Sequence, residues 1–339
     1  MLAARFEAEG QMVVRDVAVP VPGPSDLLVK VEACGICGSD RHMFKGEYPT
    51  ALPVTLGHEF SGIVEKIGSD VEGISVGARI SGDPNISCGT CEHCRNKRPN
   101  LCAELTPIGV FRDGGFAEYV LVPETQAAIL PNDINPLYGA FCEPVACCLH
   151  GVDVAKIIPG TTVAILGGGV IGLLMVELVK RAGASMIILS TRQAPRRELA
   201  LELGASHTVD PTATDPVLAV SGPQGFVPGG VDVVIECAGV AETFQQSIAM
   251  ARHGGAVVVF GVMPKGVTVS LEPFDFLTRE LRIESAWLNP YTHARAAELI
   301  ATGELSLDAL ITRTISLSEV PDAVEAAPGF GEIKTIMVP

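Results

Sequence analysis

Four cysteines lie close together in the segment CGTCEHCRNKRPNLC, which spans residues 88–102. They are Cys88, Cys91, Cys94 and Cys102, and their spacing is C-x2-C-x2-C-x7-C. In a reducing compartment, thiols at such short spacing are more often metal ligands than disulfide partners. Four thiolates complete the tetrahedral shell of a zinc ion and leave no position for a substrate. The segment therefore predicts a structural zinc that braces a loop.

A second set of candidate metal ligands comes from two other segments, CGICGSD at 34–40 and LGHEF at 56–60. A catalytic zinc takes about three protein ligands of mixed nitrogen, sulfur and oxygen type and keeps one position for water or substrate. Cys37, His58 and Glu59 fit that description. Each alone is weak evidence, because a lone cysteine is usually a core residue and a His-Glu pair usually lies at the surface.

A glycine-rich turn interrupts the apolar sequence AILGGGVIGLLMVELVKR, which spans 164–181. It reads G-x-G-x-x-G after a short apolar run and before a stretch of helical character. In that order, bare backbone amides and the positive end of a helix face the pyrophosphate of a dinucleotide. The candidate cofactor-binding residues of the turn are Gly167, Gly169, Val170, Ile171 and Gly172. The alternative is a turn that packs helix on strand without a ligand.

The residues after the second strand of this region bear on which nicotinamide cofactor binds. NAD-preferring sheets carry an Asp or Glu about 20 residues after the glycine motif, on the ribose 2′-hydroxyl. Here strand 186–189 is followed by Ser-Thr-Arg at 190–192. Thr191 can donate a hydrogen bond to a 2′-phosphate, and Arg192 can pair with it. NADP(H) is therefore favoured, with Thr191, Arg192 and Arg196 as contacts. The alternative is a solvated helix start, with NAD(H) bound by the backbone alone.

Two kinds of element must position these residues, and a chain of 339 residues has room for about two domains. Up to about residue 153, short β-like runs such as 116–122 alternate with Pro and Gly turns. Beyond Pro159-Gly160, apolar runs at 186–189, 231–235 and 256–260 alternate with helix-like stretches at 194–203 and 241–250. Such alternation predicts a parallel, doubly wound sheet.

Composition excludes several classes of partner. The net charge is −15, so DNA, RNA and anionic membrane surfaces are disfavoured, because they need clustered Lys and Arg. The N-terminal MLAARFEAEG has no basic region followed by an apolar run, so we expect a cytoplasmic protein. The apolar stretch 162–179 is long enough for a membrane window. Its glycines and Glu177 favour a buried strand, turn and helix instead.

Several motifs together, CGICGSD, GHEFSG, the four-cysteine segment, DGGFAEYV, EPVACCLHG and the glycine motif, resemble the zinc-dependent medium-chain dehydrogenase/reductase superfamily. Within it the chain is most similar to polyol dehydrogenases of the sorbitol type (L-iditol 2-dehydrogenase-like). The resemblance covers nearly the whole chain. It implies an α/β protein with a doubly wound, parallel-sheet (Rossmann) dinucleotide-binding domain and a β-rich GroES-like catalytic domain. The implied limits are 154–288 for the first and 1–153 with 289–339 for the second, with the active site in the cleft between them.

The resemblance also implies roles for the ligand candidates. Cys37 and His58 are implied as catalytic zinc ligands. Glu59 and Glu143 compete for the remaining carboxylate role; in polyol-type members the position of Glu59 tends to bind directly and that of Glu143 through the bound water. Relatives that act on simple alcohols often have Cys or Asp at the position of Glu143. Its presence therefore favours a polyol substrate.

Ser39 and His42 match the proton-relay positions of the family. In that role the serine hydroxyl meets the substrate oxygen and the histidine passes the proton outward. The alternative is that Ser39 caps a helix beginning near Asp40 and that His42 is merely exposed.

One departure from the sorbitol type concerns the end of the dinucleotide domain. Sorbitol-type enzymes commonly carry an Arg-Tyr pair there, whereas this chain has Trp287-Leu288-Asn289-Pro290. Sorbitol itself is therefore in doubt, and we expect a polyol or sugar alcohol that is oxidised to its ketose. The alternatives are a secondary alcohol or amino alcohol (threonine-type) dehydrogenase, a zinc-free reductase, and a catalytically silent nucleotide-binding regulator.

Assembly is the last expectation. The runs 256–260 and 281–286 are predicted strands near an apolar sheet edge, and exposed edges are normally paired or covered. Together with the resemblance, this predicts that the chain forms at least a dimer, and we expect a homotetramer. Two ligand sets of different type predict two zinc ions per chain, one catalytic and one structural.

Overall fold

A computed structural model describes residues 1–339, and the chain divides into two compact units. Unit 1 comprises Met1–Ala146 and Leu288–Pro339, and unit 2 comprises Cys147–Trp287. The first border falls inside a helix that spans Cys142–Ala155, whereas the sequence placed it after residue 153. A continuous helix shows no composition change at the point where its packing partners change.

The strands in chain order are β1 (Leu2–Ala8), β2 (Gln11–Asp16), β3 (Asp26–Gly35), β4 (Val54–Thr55), β5 (Glu59–Ile67), β6 (Arg79–Gly82), β7 (Tyr119–Pro123), β8 (Ala127–Leu130), β9 (Thr162–Leu166), β10 (Met186–Ser190), β11 (His207–Val209), β12 (Val231–Glu236), β13 (Ala251–Val259), β14 (Arg282–Ser285), β15 (Ile311–Ser316) and β16 (Lys334–Val338). The helices are α1 (Gly38–Phe44), α2 (Glu92–Arg95), α3 (Cys142–Ala155), α4 (Val170–Arg181), α5 (Ala194–Leu203), α6 (Pro216–Ser221), α7 (Ala241–Met250), α8 (Pro273–Thr278), α9 (His293–Ala301), α10 (Leu307–Leu310) and α11 (Val320–Glu325). Unit 1 is rich in strands, and unit 2 alternates strand and helix.

Unit 2 contains a six-stranded sheet in the order β11-β10-β9-β12-β13-β14. All of its pairings are parallel. The chain starts in the middle of the sheet at β9, winds outward to β11, and then returns to the other side of β9 at β12. This is the doubly wound order of a Rossmann sheet, and ligands of such sheets bind at the carboxyl ends of the strands beside the reversal. The predicted fold class is confirmed.

Unit 1 contains a seven-stranded sheet in the order β15-β16-β3-β5-β6-β8, with β7 also paired to β3, and a three-stranded sheet β2-β1-β4. The long antiparallel pairing of β3 with β5 places Gly35 opposite Glu59. The end of β3 also pairs with β16, where Gly35 lies opposite Ile336. Three segments that are far apart in sequence therefore meet at the end of β3.

Two strands differ from their predicted bounds. β7 begins at Tyr119, whereas the apolar run suggested a start at Phe116. The Phe116 carbonyl accepts a hydrogen bond from Ala4 N at 2.8 Å, so the chain pairs with β1 before it joins β3. β13 begins at Ala251, earlier than the predicted 256, because its polar start Arg252-His253 carries no apolar signal.

None of the helices is long and apolar enough to cross a membrane. The apolar stretch 162–179 forms β9, the glycine turn and most of α4. Burial in the sheet and its covering helix, rather than contact with lipid, accounts for its apolar character.

Candidate active site and metal centres

The mixed ligand group is assembled from two segments that flank the β3–β5 pairing. Cys37 immediately precedes α1, and His58-Glu59 stands at the start of β5. The Cys37 sulfur, a His58 ring nitrogen and a Glu59 carboxylate oxygen all lie within 4.8 Å of one another. His58 and Glu59 are buried and Cys37 is half-buried. One sulfur, one nitrogen and one oxygen ligand are typical of a zinc site that keeps a position open.

Asp40 orients both the cysteine and the histidine of this group. It is fully buried, and its Oδ2 accepts a hydrogen bond from Cys37 N at 2.8 Å. Its Oδ1 lies 3.3 Å from His58 Nδ1, an ion contact without good hydrogen-bond alignment. Burial alone would lower the pKa of His58, but the Asp40 and Cys37 charges raise it well above 6.5. A carboxylate behind a ligating histidine fixes the ring and leaves Nε2 to the metal.

Lys334 is the residue of this site that the sequence did not reveal. Its ammonium donates to Glu59 Oε2 and to the Ile36 carbonyl, the latter at 3.1 Å, and it is only 1% exposed. Burial alone would lower the pKa of Lys334, but Glu59, Cys37 and Glu143 together raise it above its usual value. The available signal was a lysine in the apolar run KTIMV, because a buried lysine needs a partner.

Gly35 leaves the space that this ion pair occupies. A Cβ added at Gly35 would lie 2.9 Å from Lys334 Nζ and closer still to the Glu59 carboxylate. Contacts below 3.0 Å cannot be relieved here without moving two buried charged groups. The absence of a side chain at Gly35 is therefore a requirement of the site.

Glu143 lies at the start of α3 and is buried. Its charge contributes to the raised pKa of Lys334, after that of Glu59, so both carboxylates lie in the field of one ammonium. The group of mutually close ligand atoms contains Glu59 and does not contain Glu143. Of the two competing carboxylates, Glu59 is therefore the one grouped with Cys37 and His58.

The two predicted relay residues face different partners. Ser39 Oγ lies 3.2 Å from His58 Nε2, the ring nitrogen turned away from Asp40. Ser39 does not cap α1, because the N-cap position belongs to Cys37. The capping alternative is therefore wrong. His42 Nδ1 lies 2.6 Å from Glu47 Oε2, and about a third of its side chain is exposed.

The four-cysteine segment folds into a short lobe containing α2 and a 3-10 turn at Pro99–Leu101. Its sulfurs all lie within 4.8 Å of one another, and only Cys102 is buried. Backbone amides donate to them: Cys91 N to Cys88 and Cys88 N to Cys102, both at 3.3 Å. The amides of Thr90 and Cys91 lower the pKa of Cys88 to about 6. Sulfurs that receive amide hydrogen bonds fit a closed thiolate site for zinc.

The glycine turn connects β9 to α4 and meets the requirements of a phosphate-binding loop. Gly167 has a left-handed φ of 108°, and its N–H donates to the Ser190 carbonyl at 2.9 Å. A Cβ on Gly172 would overlap the Gly167 carbonyl oxygen. Gly169 is the N-cap of α4 and supplies no capping side chain, so the first amides of the helix stay open to an anion. Val170 and Ile171 form the first residues of that helix.

The residues after β10 divide into two kinds. Thr191 is buried against the glycine turn, where a Cβ on Gly168 would lie 2.7 Å from the Thr191 Cβ. Arg192 is exposed and Arg196 is half-buried. Arg197 is structural, because it donates to the carbonyls of Thr191 and Arg192 at 2.8 Å each.

Asp210 is a carboxylate near this edge that the sequence analysis missed. It follows β11, the strand next to β10, and it lies 2.9 Å from Arg197. Hydrogen bonds from Thr212 lower the pKa of Asp210, and Arg197 lowers it further. Its negative charge is thus paired inside the chain. β11 is only three residues long, so the sequence pattern did not predict the strand that brings Asp210 to this edge.

Comparison with known proteins identifies the family. Residues 23–132 match the family described as alcohol dehydrogenase GroES-like domain, and residues 170–302 match the family described as zinc-binding dehydrogenase. The chain is similar to D-arabitol-phosphate dehydrogenase of Enterococcus avium, with 35% identity over 96% of this chain and 94% of the relative. It is similar to L-threonine 3-dehydrogenase of Rhizobium etli, with 30% identity over 98% and 96%. Sorbitol dehydrogenases are also among its relatives.

A solved structure is very similar over the whole chain. It is that of a protein of Sinorhizobium meliloti assigned as a zinc-binding dehydrogenase and bound to NADP. The identity is 59%, the match covers 100% of this chain and 99% of the other, and the TM-score is 0.98. Both family matches, the relatives and the doubly wound sheet agree with the resemblance found in the motifs. The chain therefore belongs to the zinc-dependent medium-chain dehydrogenase/reductase superfamily, close to the polyol dehydrogenases.

Proposed function

We propose that this enzyme transfers hydride between a polyol or sugar alcohol, or the corresponding ketose, and NADP(H). The observation that carries the proposal is the buried group of Cys37, His58 and Glu59, with Ser39 beside the histidine, in a chain of this superfamily. Zinc would be held by these three residues, with Glu143 as the further carboxylate. When bound, zinc polarises the substrate hydroxyl and lowers its pKa, and the nicotinamide accepts the hydride.

The residues of this chain supply orientation and the path of the proton. Asp40 holds the His58 ring, and Lys334 holds Glu59. Ser39 Oγ, at 3.2 Å from the ring, is placed to take the proton of the substrate hydroxyl. We infer that His42, which is half-buried and hydrogen-bonded to Glu47, releases the proton to solvent, the role that the family resemblance implies for it.

A polyol is favoured over a simple alcohol by Glu143. It adds a second buried carboxylate in the field of Lys334, and a buried polar group of a site favours a substrate that can bond to it. Relatives that act on arabitol phosphate and on sorbitol support the same class. The second candidate, an amino alcohol such as threonine, is supported by the L-threonine 3-dehydrogenase relatives.

A substrate panel distinguishes these two. The purified enzyme would be assayed at the nicotinamide absorption band with C4 to C6 polyols, with their ketoses and with L-threonine. We expect the highest kcat/KM with a polyol or ketose. A higher kcat/KM with L-threonine would overturn the polyol assignment, and absence of turnover with either class would support the silent regulator.

The choice of NADP(H) is supported by the end of β10. Thr191 and Arg192 stand where an NAD-preferring sheet places a carboxylate, and Asp210 nearby is already paired with Arg197. Arg192 is exposed and so is available to a 2′-phosphate. The NADP found in the Sinorhizobium meliloti structure is further support.

Arg192→Ala tests the cofactor assignment. We expect the KM for NADP(H) to rise about tenfold or more, a loss of about 1.4 kcal/mol, with little change for NAD(H). Arg181→Ala is the matched control, because it lies at the end of α4 that is remote from the glycine turn. It should change the KM for neither NADP(H) nor NAD(H). Wild-type enzyme that uses NAD(H) more efficiently than NADP(H) would contradict the assignment.

Assembly and location complete the proposal. β14 is the last strand of its sheet, and α8, which precedes it in the chain, carries Phe274 and Leu277, both more than 70% exposed. Such an edge needs cover, and we propose a homotetramer, or at least a dimer. Light scattering that gives a monomer mass at micromolar concentration would contradict this.

Because both ligand groups require reduced thiols, we place the enzyme in the cytoplasm.

A further inference from the structure

Unit 1 contains a cavity of about 330 Å³ that shares no residue with either metal-ligand group. Its walls come from four places: the segment after β6, the cysteine lobe, the turn between β7 and β8 with the start of β8, and the entry to α9. The residues are Asp83, Asn85, Ser87, Pro99, Asn100, Thr125, Gln126, Ala127, Ala128, Asn289, Pro290, Tyr291, His293 and Ala294. The volume falls at the small end of the range for ligand pockets, which is about 300–1,000 Å³.

His293 in the wall of this cavity lacks partners within the chain. It is only 4% exposed, and neither ring nitrogen meets hydrogen-bond geometry with any other group. The Ser81 backbone lies near the ring but does not satisfy a nitrogen. Burial holds the pKa of His293 below its usual value, so the ring is neutral and offers one donor and one acceptor. Both ring nitrogens are covered in this structure, so the ring must turn toward the cavity to meet an occupant. A buried polar group without a partner costs free energy, so an occupant that supplies one favours that turn.

The polar walls are held rigidly before any ligand arrives. Asn85 Nδ2 donates to Asn289 Oδ1 at 2.5 Å, and Asn289 Nδ2 donates to Asp83 Oδ1 at 3.2 Å. Gln126 Nε2 donates to the carbonyls of Asp83 and Asn85, both at 3.1 Å. These bonds connect three chain segments around the cavity. A preorganised wall loses little freedom on binding.

The chemistry of the walls selects a neutral ligand with many hydroxyl groups. Asp83 repels an anion, and it is the sole carboxylate among the lining residues, too few for a divalent cation site. Amides and a neutral histidine both donate and accept, and so do hydroxyl groups. Tyr291, 65% exposed at the rim, adds an aromatic face.

We propose that this cavity is a second binding site, separate from the zinc site, for a small neutral polyhydroxylated molecule of monosaccharide or polyol size. The occupant bridges the cysteine lobe to the entry of α9, and one of its hydroxyl groups bonds to His293. Binding therefore stabilises unit 1 without taking part in hydride transfer.

The test uses the full-length Cys37→Ser variant, in which turnover does not consume the probe. D-sorbitol and D-glucose are titrated separately by calorimetry, which distinguishes an open-chain polyol from a cyclic sugar. Inorganic phosphate and Mg²⁺ are titrated as the anion and cation alternatives. We expect one of the two hydroxylated probes to bind and to raise the thermal midpoint.

Two further variants in the same background localise the binding. Ala294→Phe fills the cavity from an exposed position and should abolish the heat, whereas Ala294→Ser should retain it. His293→Phe keeps the ring volume and should weaken binding about tenfold or more while the apo thermal midpoint is maintained or raised. Without the Cys37 substitution, Ala294→Phe should leave kcat and KM unchanged.

The proposal is overturned if the Ala294→Phe variant binds either probe as well as its background, or if neither probe gives heat up to about 50 mM, well beyond ordinary millimolar affinity. It is also overturned if only phosphate or Mg²⁺ binds. A change in mass of Ala294→Phe by light scattering would show that a second copy of the chain fills the cavity, which likewise overturns it. None of these results bears on hydride transfer at the zinc site.

Discussion

The two metal-ligand groups lie in the same unit, yet the chain holds them in opposite ways. The four sulfurs of 88–102 come from one short lobe with little buried surface. Cys37, His58 and Glu59 come from separate segments inside the core and are fixed by Asp40 and by Lys334, which lies 275 residues from Glu59. The lobe therefore depends on its metal for order, whereas the sheet orders the mixed group and leaves a coordination position for chemistry. Substitutions in the two regions should have opposite consequences.

Cys37→Ser should produce the largest effect on activity. Loss of a ligand would weaken zinc binding and with it the polarisation of the substrate hydroxyl, so we expect kcat to fall at least about 1,000-fold, or about 4 kcal/mol. The thermal midpoint should change little, because the sheet positions this group. Steady-state kinetics, metal analysis and thermal unfolding measure the three effects. Cys147→Ser, a thiol outside both groups, is the control. An unfolded Cys37→Ser protein would mean that this site is structural.

Lys334→Met tests whether distant contacts hold the mixed group. In the zinc-free protein the substitution leaves the Glu59 carboxylate buried without a cation, and such unpaired charges destabilise by about 3–5 kcal/mol. Denaturant unfolding measures the loss. The double variant Lys334→Met/Glu59→Gln should recover most of the stability, because no charge remains buried, but should not recover activity. If Lys334→Met alone is as stable as the wild type, the ion pair does not support the site.

Cys91→Ser should show the reverse pattern. The lobe has no core of its own, so the free energy of metal binding is the free energy that orders it. Zinc content should fall from two ions to one, and a loss of about 3 kcal/mol would lower the thermal midpoint by roughly 10 °C. Turnover per folded molecule should be largely retained. An unchanged midpoint in Cys91→Ser, together with unfolding of Cys37→Ser, would reverse the two assignments.

The same contrast explains what could be predicted from the sequence. Helices 194–203 and 241–250 were predicted with the bounds that the structure shows, because their apolar spacing is local and Pro195 and Gly204 mark the ends of the first. The glycine turn was predicted from a motif of six consecutive residues, G-x-G-x-x-G. The cysteine lobe was predicted from the spacing of its four cysteines.

Long-range contacts could not be predicted in this way. The pairing of Lys334 with Glu59 depends on β16 lying beside β3, and strand neighbours so distant in sequence leave no periodic signal. Asp210 likewise became visible only once β11 was placed next to β10. The cavity around His293 combines four separate segments. Lys334, Asp210 and the cavity were missed because their roles depend on tertiary pairing and no local motif marks them. Cys37, His58 and Glu59 also meet through tertiary pairing, but each lies in a recognisable local motif.

A matched pair of glycine substitutions sharpens the comparison further. At Gly35, in the mixed group, an alanine Cβ would collide with Lys334 and Glu59. We expect Gly35→Ala to lower kcat at least about tenfold, about 1.4 kcal/mol, because the ion pair and the ligand must shift together. Gly38→Ala, where nothing lies within 4 Å of the added Cβ, is the control and should be nearly silent. Full activity of Gly35→Ala would show that the site tolerates displacement of Glu59.

Gly89→Ala, in the cysteine lobe, should produce the smallest effect. An added Cβ there meets nothing within 4 Å, but the backbone has a left-handed φ of 71°, so the cost is conformational alone. That cost is about 1–2 kcal/mol for an alanine, and it should lower the thermal midpoint by roughly 2–8 °C. Because Gly89 lies between two sulfur ligands and far in sequence from Cys37, kcat and KM should not change. Thermal unfolding and steady-state kinetics on one preparation measure both quantities. A fall in kcat without a fall in the midpoint would mean that the lobe takes part in turnover, and the division between a metal for order and a metal for chemistry would then fail.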